Sequence, residues 1–336
     1  MMELWYTDGP ASRGREQELF RNGATGVRLT FSYGTPEYQL QRAHEIRKAA
    51  DRVDRPCRIV ADLAGEKFRL GVFKGEISIL VAAGAQIRLI HTESASPTTD
   101  LVFPVRDASF FSQVCEGSLV TVGDGSATFR ITETSALHAT AEITVSGIIN
   151  QSRGLSIQGS SFTPCSITAK DLSDLTHIVE SGEYDVVALS FVSAASDLAL
   201  VRRLLRGSQR ETAVLAKVET SAGIDNIDSV CEAADLVMAA RGDLALNLPW
   251  VELPDAVRKI ARAASSHSSP WILATQIFEG LERFAIPTRA EICDVARWLE
   301  EGCAGLLLSY ETAFGARPDL AVSYASAMIK RWGNIC

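Results

Sequence analysis

The chain has 336 residues, 46% of them hydrophobic and 22% charged, a balance that suits a globular protein with room for one large barrel or two medium domains. Its net charge of −8 argues against nucleic acid or an anionic membrane as the main partner, while a local basic pocket for a small anion stays open. No stretch reaches the length of an apolar membrane span, and the N-terminus lacks the basic-then-apolar pattern of a secretion signal. The seven cysteines are scattered without a C-x-x-C pair, so a cytoplasmic protein with reduced thiols and no structural zinc is expected.

Runs rich in Val, Ile, Leu and Ala at Leu4–Thr7, Gly26–Phe31 and Cys57–Leu63 predict three strands, with an amphipathic helix over Glu37–Arg52 before the third. The helical repeat then disappears. Ile77–Val81, Gln86–Ile90, Ser118–Val122, Ala127–Thr132 and Ala141–Val145, punctuated by Gly, Ser, Thr and Asp, predict a small β domain over residues 73–157. Strands resume at Asp185–Val192, Thr212–Val218, Ala234–Ala240, Trp271–Thr275 and Ala304–Ser309. Helices are predicted at Ala195–Arg206, Leu253–Ser265, Arg289–Glu301 and Asp319–Trp332.

Eight strands alternating with helices, and the ~250 residues left outside the insert, match a (β/α)8 barrel. The predicted fold class is therefore α/β: a TIM barrel built from residues 1–72 and 158–336, with a small all-β lid domain inserted after strand 3. A doubly wound open sheet is the alternative, and it lacks its glycine-rich turn after the first strand.

In such barrels the chemistry sits where strands run out into the following loops. The apolar runs here end in Thr7, Arg28 and Ser32, Asp62, Ser190, Lys217 and Glu219, Arg241 and Asp243, Thr275, and Ser309 and Glu311. Singly, each reads as a helix cap or a solvated loop residue. Lys217-Val218-Glu219 is sharper, because residues two apart on a strand face the same way and a buried charge needs a partner, a metal or a ligand. A plain buried ion pair satisfies that need, and so does a site. Asp243, in Ala240-Arg241-Gly242-Asp243, could join Glu219 in holding a hard cation, with Lys217 beside it to stabilise an enolate or a phosphoryl group.

The motif series resembles the pyruvate kinase family. It runs Lys217-Val218-Glu219, Ala240-Arg241-Gly242-Asp243, Ala274-Thr275-Gln276, Pro287-Thr288-Arg289-Ala290-Glu291 and Ser309-Tyr310-Glu311-Thr312-Ala313, in the family's order. Earlier segments agree: Thr7-Asp8-Gly9-Pro10-Ala11-Ser12, Arg28–Gly34 and Asp62–Gly71.

The resemblance implies conversion of phosphoenolpyruvate and ADP to pyruvate and ATP through a metal-stabilised enolate. Mg²⁺ or Mn²⁺ would be held by Glu219 and Asp243. Lys217, Thr275, Arg28 and Ser309 would be catalytic, Thr275 near the carbon that is protonated and Ser309 in the same relay. Ala240, Arg241, Gly242, Asp243 and Thr275 would bind substrate, the first four through their backbone. Pro10, Arg28, Tyr33, Arg69 and Arg153 would contact nucleotide and its phosphates. Thr30, Ser32, Asp62, Leu63 and Lys67 would stand at the family's K⁺ site. Lys67 replaces an acidic residue there, so its ammonium would make K⁺ unnecessary. The family's C-terminal regulatory domain is absent from the chain, and a homo-oligomer would form through the barrel.

Departures fall on the nucleotide side. Thr30 and Tyr33 replace the family's Asn and His, Glu66 its usual Pro, and Gly123-Asp124 its paired aspartates. They motivate an alternative: a metal-dependent decarboxylase or aldolase acting on a pyruvate-type enolate without nucleotide. A non-catalytic scaffold is a third reading, and it is opposed by the retention of Lys217, Glu219, Asp243 and Thr275.

Overall fold

The computed structural model describes residues 2–158, 167–208 and 210–333. The last residue of the Arg153–Gly159 run and two of the cysteines, Cys165 and Cys336, lie outside that description. By internal contacts the chain divides into two units. One is Met1–Glu66 with Cys165–Leu244 and Pro254–Cys336, and the other is Lys67–Pro164 with Ala245–Leu253.

The first unit is a closed parallel barrel. Its strands are β1 (Glu3–Thr7), β2 (Gly26–Thr30), β3 (Arg58–Asp62), β4 (Val186–Leu189), β5 (Ala213–Val218), β6 (Leu236–Ala240), β7 (Trp271–Ala274) and β8 (Gly305–Leu308). Each pairs with its sequence neighbours, and β1 pairs with β8 through Tyr6 and Leu308 to close the ring. Thr7 secures that seam. Its hydroxyl donates to the Leu308 carbonyl at 2.8 Å, and its N–H donates to the Thr312 hydroxyl at 3.0 Å.

The strands are near-continuously buried because helices cover their outer face while side chains fill the interior. Trp5, Val60, Val186, Ala188, Leu215, Met238, Ile272 and Leu307 form the interior cluster. Strand side chains alternate, so the inward face continues two residues further at the rim. There Asp62 follows Val60, Ser190 follows Ala188, Lys217 follows Leu215 and Ser309 follows Leu307. The polar strand ends thus share the inner face of one end of the barrel.

The second unit centres on a six-stranded sheet in the order Leu155–Ile157, Leu119–Val122, Ala127–Thr134, His138–Val145, Gln86–His91, Val102–Val105. Two short ribbons accompany it, Gly147–Asn150 with Ser78–Val81 and Val72–Phe73 with Ser94–Ala95. Phe68, Leu70, Phe103, Phe110 and Phe129 are buried in its core. The boundary predicted after residue 72 therefore falls at Lys67: Phe68 and Leu70 are core residues of the β unit, and the Leu70 N–H donates to the Arg153 carbonyl at 2.9 Å. The described part of the insert also has two four-residue helical turns, Pro97–Asp100 and Phe110–Gln113, in a region predicted to be purely β. No helix among the described residues is long and apolar enough to cross a membrane.

Candidate active site at the barrel rim

Lys217 stands at the centre of the rim. Its ammonium donates to the Ser190 hydroxyl at 2.7 Å, and that hydroxyl donates in turn to the Leu63 carbonyl at 2.7 Å. Two carboxylates flank it, Asp62 at 3.0 Å and Glu219 at 3.3 Å. Burial favours the neutral amine, but Asp62 and Glu219 outweigh it and hold the group above the ordinary lysine value. Lys217 therefore stays charged through the working pH range. Arg28 joins from β2, 3.8 Å from the other oxygen of Asp62.

Glu219 follows β5 and is 2% exposed. The Phe191 N–H donates to its Oε2 at 2.9 Å. Its carboxyl is pushed up from the ordinary range, first by burial and then by Asp243, with Lys217 opposing. Asp243 lies in the first turn of the helix Arg241–Asn247, near enough to act electrostatically on both Glu219 and Lys217. A buried carboxylate pressed by a second one fits a cation. Among the described residues no three His, Cys, Asp or Glu side chains could hold a metal by themselves. Two hard oxygen donors suit Mg²⁺ or Mn²⁺, which leave the remaining positions to water and substrate oxygens.

Thr275 follows β7 with φ at +73°, and Gln276 comes next at +53°. A β-branched residue in this left-handed region costs ~1–3 kcal/mol and needs its surroundings to hold it. Its side chain lies over Gly242, so that a Cβ on Gly242 would meet Thr275 Cγ2 at 3.2 Å and Oγ1 at 3.3 Å. Gly242 thus keeps the approach between β6 and β7 open. The Arg241 side chain is spent on this loop. It donates to the carbonyls of Ala274 at 3.3 Å, Thr275 at 2.6 Å and Gln276 at 3.1 Å. Any contact it makes with a substrate falls to its backbone.

Three buried polar atoms at the rim have no hydrogen-bond partner among the described residues: Arg28 Nε, Ser309 Oγ and Asp62 Oδ1, the last of which meets Lys217 as an ion pair. Each of the first two costs ~1–3 kcal/mol, a cost expected where a ligand is to be met. Of the proposed monovalent-site residues, Thr30, Ser32, Asp62 and Leu63 belong to the barrel. The Leu63 carbonyl accepts from Ser190, and that of Thr30 accepts from Gln39 at 2.9 Å. Pro10 and Tyr33 are exposed barrel-loop residues, Tyr33 at 63%.

Lys67, Arg69 and Arg153 belong to the second unit, and that unit brings them together. Arg69 pairs with Gly154 in an antiparallel bridge, the Lys67 stem lies against Gly154, and the Arg153 stem lies beside Gly123. Sequence reasoning passed over Ser190 as the acceptor of Lys217, Asp62 as its nearest carboxylate, and Glu311. The signal for Glu311 was its position two residues after an inward-facing strand end, but nothing local shows which amides it would meet.

Residues 3–322 match the family model for the barrel domain of pyruvate kinase. The chain is 29% identical over 326 residues to the pyruvate kinase of Thermococcus litoralis, covering 96% of this chain and 68% of that protein. It is 32% identical over 321 residues to that of Bacillus licheniformis, with 94% and 54% covered. The pyruvate kinase of Methylorubrum extorquens is 32% identical over 318 residues, with 94% and 65% covered. The chain thus spans from about half to about two-thirds of the length of these relatives.

Proposed function

The chain belongs to the pyruvate kinase family, and on that premise we propose that it transfers the phosphoryl group of phosphoenolpyruvate to ADP, giving pyruvate and ATP. The observation that carries this reading is the charged Lys217 held between Asp62 and Glu219, with Asp243 nearby, on the inner face of the barrel rim.

In this reading the bond between phosphorus and the enol oxygen breaks while an ADP oxygen bonds to phosphorus, which leaves pyruvate as its enolate. The Lys217 ammonium faces that developing negative charge. Because it is fixed in advance, it needs no reorganisation as the reaction proceeds. A divalent cation held by Glu219 and Asp243 would add Lewis-acid stabilisation of the same oxygens. The substrate carboxylate is received by backbone N–H groups where Ala240 leads into the helix Arg241–Asn247. Thr275 delivers a proton to the methylene carbon, and Ser309 extends the relay.

The nucleotide contacts assigned to Pro10, Arg28, Tyr33, Arg69 and Arg153 belong to the same proposal, as do the lid role of residues 73–157, homo-oligomerisation through the barrel and a cytoplasmic setting. So does independence from K⁺. Lys67 stands in the sequence where K⁺-dependent members carry an acid, and Asp62 already faces both Lys217 and Arg28.

A coupled assay with phosphoenolpyruvate, ADP and Mg²⁺, run with and without K⁺, tests these points. ATP formation at a rate that K⁺ hardly changes is expected. Strong K⁺ activation removes the Lys67 assignment. Absence of both ATP formation and nucleotide binding removes the phosphotransferase reading in favour of enolate chemistry without nucleotide.

A further inference from the structure

Thr275 and Gln276 turn the chain through two consecutive left-handed residues just past the end of β7, and charged side chains meet the backbone groups of that turn. The carbonyls of Ala274, Thr275 and Gln276 all meet Arg241. The next two amides meet a carboxylate instead. Glu311 Oε1 accepts from the N–H of Ile277 at 2.8 Å and of Phe278 at 3.0 Å, while its Oε2 accepts from the Ser309 N–H at 2.8 Å.

Both charged groups are themselves anchored. The Arg241 side chain is 14% exposed and is paired with Asp294, whose other oxygen accepts from the Trp298 indole N–H at 2.8 Å. Glu311 is 3% exposed, at the start of the short helix Tyr310–Ala313 beyond β8. Hydrogen bonds to charged groups are stronger than neutral ones, and here five of them bear on one strained five-residue stretch.

We propose that Arg241 and Glu311 form a charge clamp, cation on the carbonyls and anion on the amides, which holds Thr275 in its left-handed conformation with its hydroxyl over Gly242. Both are then positioning residues for the proton transfer. This inference rests on the reading of Thr275 as the proton donor. Without the clamp the segment relaxes toward negative φ, which swings the Thr275 side chain away from Gly242. A displacement of about 1 Å from a productive geometry lowers rates by ~10²-fold.

The test is a double-mutant cycle on turnover. Arg241→Met and Glu311→Gln should each lower kcat about 10- to 100-fold, with the KM for phosphoenolpyruvate changed less than about twofold. In a Thr275→Ala background each should cost less than about threefold more, because the residue they position is already gone. Full, multiplicative losses in that background overturn the clamp. If Arg241→Met does not fold, the Glu311→Gln cycle decides alone. A crystal structure of the Glu311→Gln protein is a second readout that does not depend on the substrate. Thr275 keeping φ near its present value, with its hydroxyl still over Gly242, contradicts the clamp. Failure of the wild-type protein to make ATP would instead count against the functional reading.

Discussion

The Lys217 ammonium lies 3.0 Å from Asp62, closer than the 3.3 Å to its neighbour on the same strand end, Glu219. Its main ionic partner therefore comes from β3, two strands away around the barrel. Replacing Lys217 by Met should lower kcat by at least ~10³-fold, about 4 kcal/mol of transition-state stabilisation. It should also lower the melting temperature, because removing one member of a buried charge cluster costs ~3–5 kcal/mol. Asp62→Asn added to Lys217→Met should recover part of the stability and none of the activity. A Lys217→Met protein with unchanged turnover would remove Lys217 from the mechanism.

The pH dependence of that stabilisation has a definite sign. The folded-state pKa of Lys217 lies above the ordinary value, so its contribution is fully present below ~10.4 and fades only as pH rises through the folded value. The difference in melting temperature between wild type and Lys217→Met, both with Asp62 in place, should stay level between about pH 7 and 9. A difference that vanishes by about pH 9 would mean that the ammonium is not held charged.

Glu219 and Asp243 can be examined without turnover. Mn²⁺ binding followed by electron paramagnetic resonance should weaken at least ~10-fold in Glu219→Gln and in Asp243→Asn, since each removes one of the two carboxylates proposed to hold the cation. Unchanged binding in both variants would place the cation elsewhere.

The Ser309 hydroxyl has no hydrogen-bond partner among the described residues. Ser309→Ala should therefore leave the melting temperature unchanged or raise it, since it removes a buried group whose missing partner costs ~1–3 kcal/mol. If Ser309 extends the relay, kcat should fall while the KM for phosphoenolpyruvate holds. Loss of stability with full activity would mark it as structural.

The barrel was legible because each strand had to be apolar on both faces, and because period-two alternation sets the side of every rim residue. The same rule placed Lys217 beside Glu219 before any coordinates. Asp62 and Ser190 were legible only as polar strand ends. Their contact with Lys217 depends on register and closure, which join residues 27 or more positions apart. Arg241 and Glu311 were hidden for a related reason: both serve backbone groups of another loop, and no side-chain pattern announces a left-handed Thr275. In the insert, Val72–Phe73 and Ser94–Ala95 are too short to carry any alternation and exist through their pairing alone. The helix Ala169–Ser181 was not among the predicted ones, although Thr168 and Asp171 cap it reciprocally.

Burial separates the thiols. It pushes Cys303 and Cys57 up to about 12 and Cys231 to about 11, whereas Cys115 and Cys293 are exposed. Iodoacetamide at about pH 8, read by peptide mass spectrometry, should label Cys115 and Cys293 well before Cys57, Cys231 and Cys303. Labelling of Cys303 at the rate of an exposed thiol would contradict the packing beneath β7 and β8.

The arrangement of Lys217, Glu219 and Asp243 is tested most directly by a crystal structure with Mn²⁺ and oxalate, a planar mimic of enolpyruvate. Anomalous scattering should place the manganese on Glu219 and Asp243, with an oxalate oxygen within hydrogen-bond reach of the Lys217 ammonium. Manganese bound away from those two carboxylates, or oxalate lodged out of reach of Lys217, would contradict the proposed chemistry.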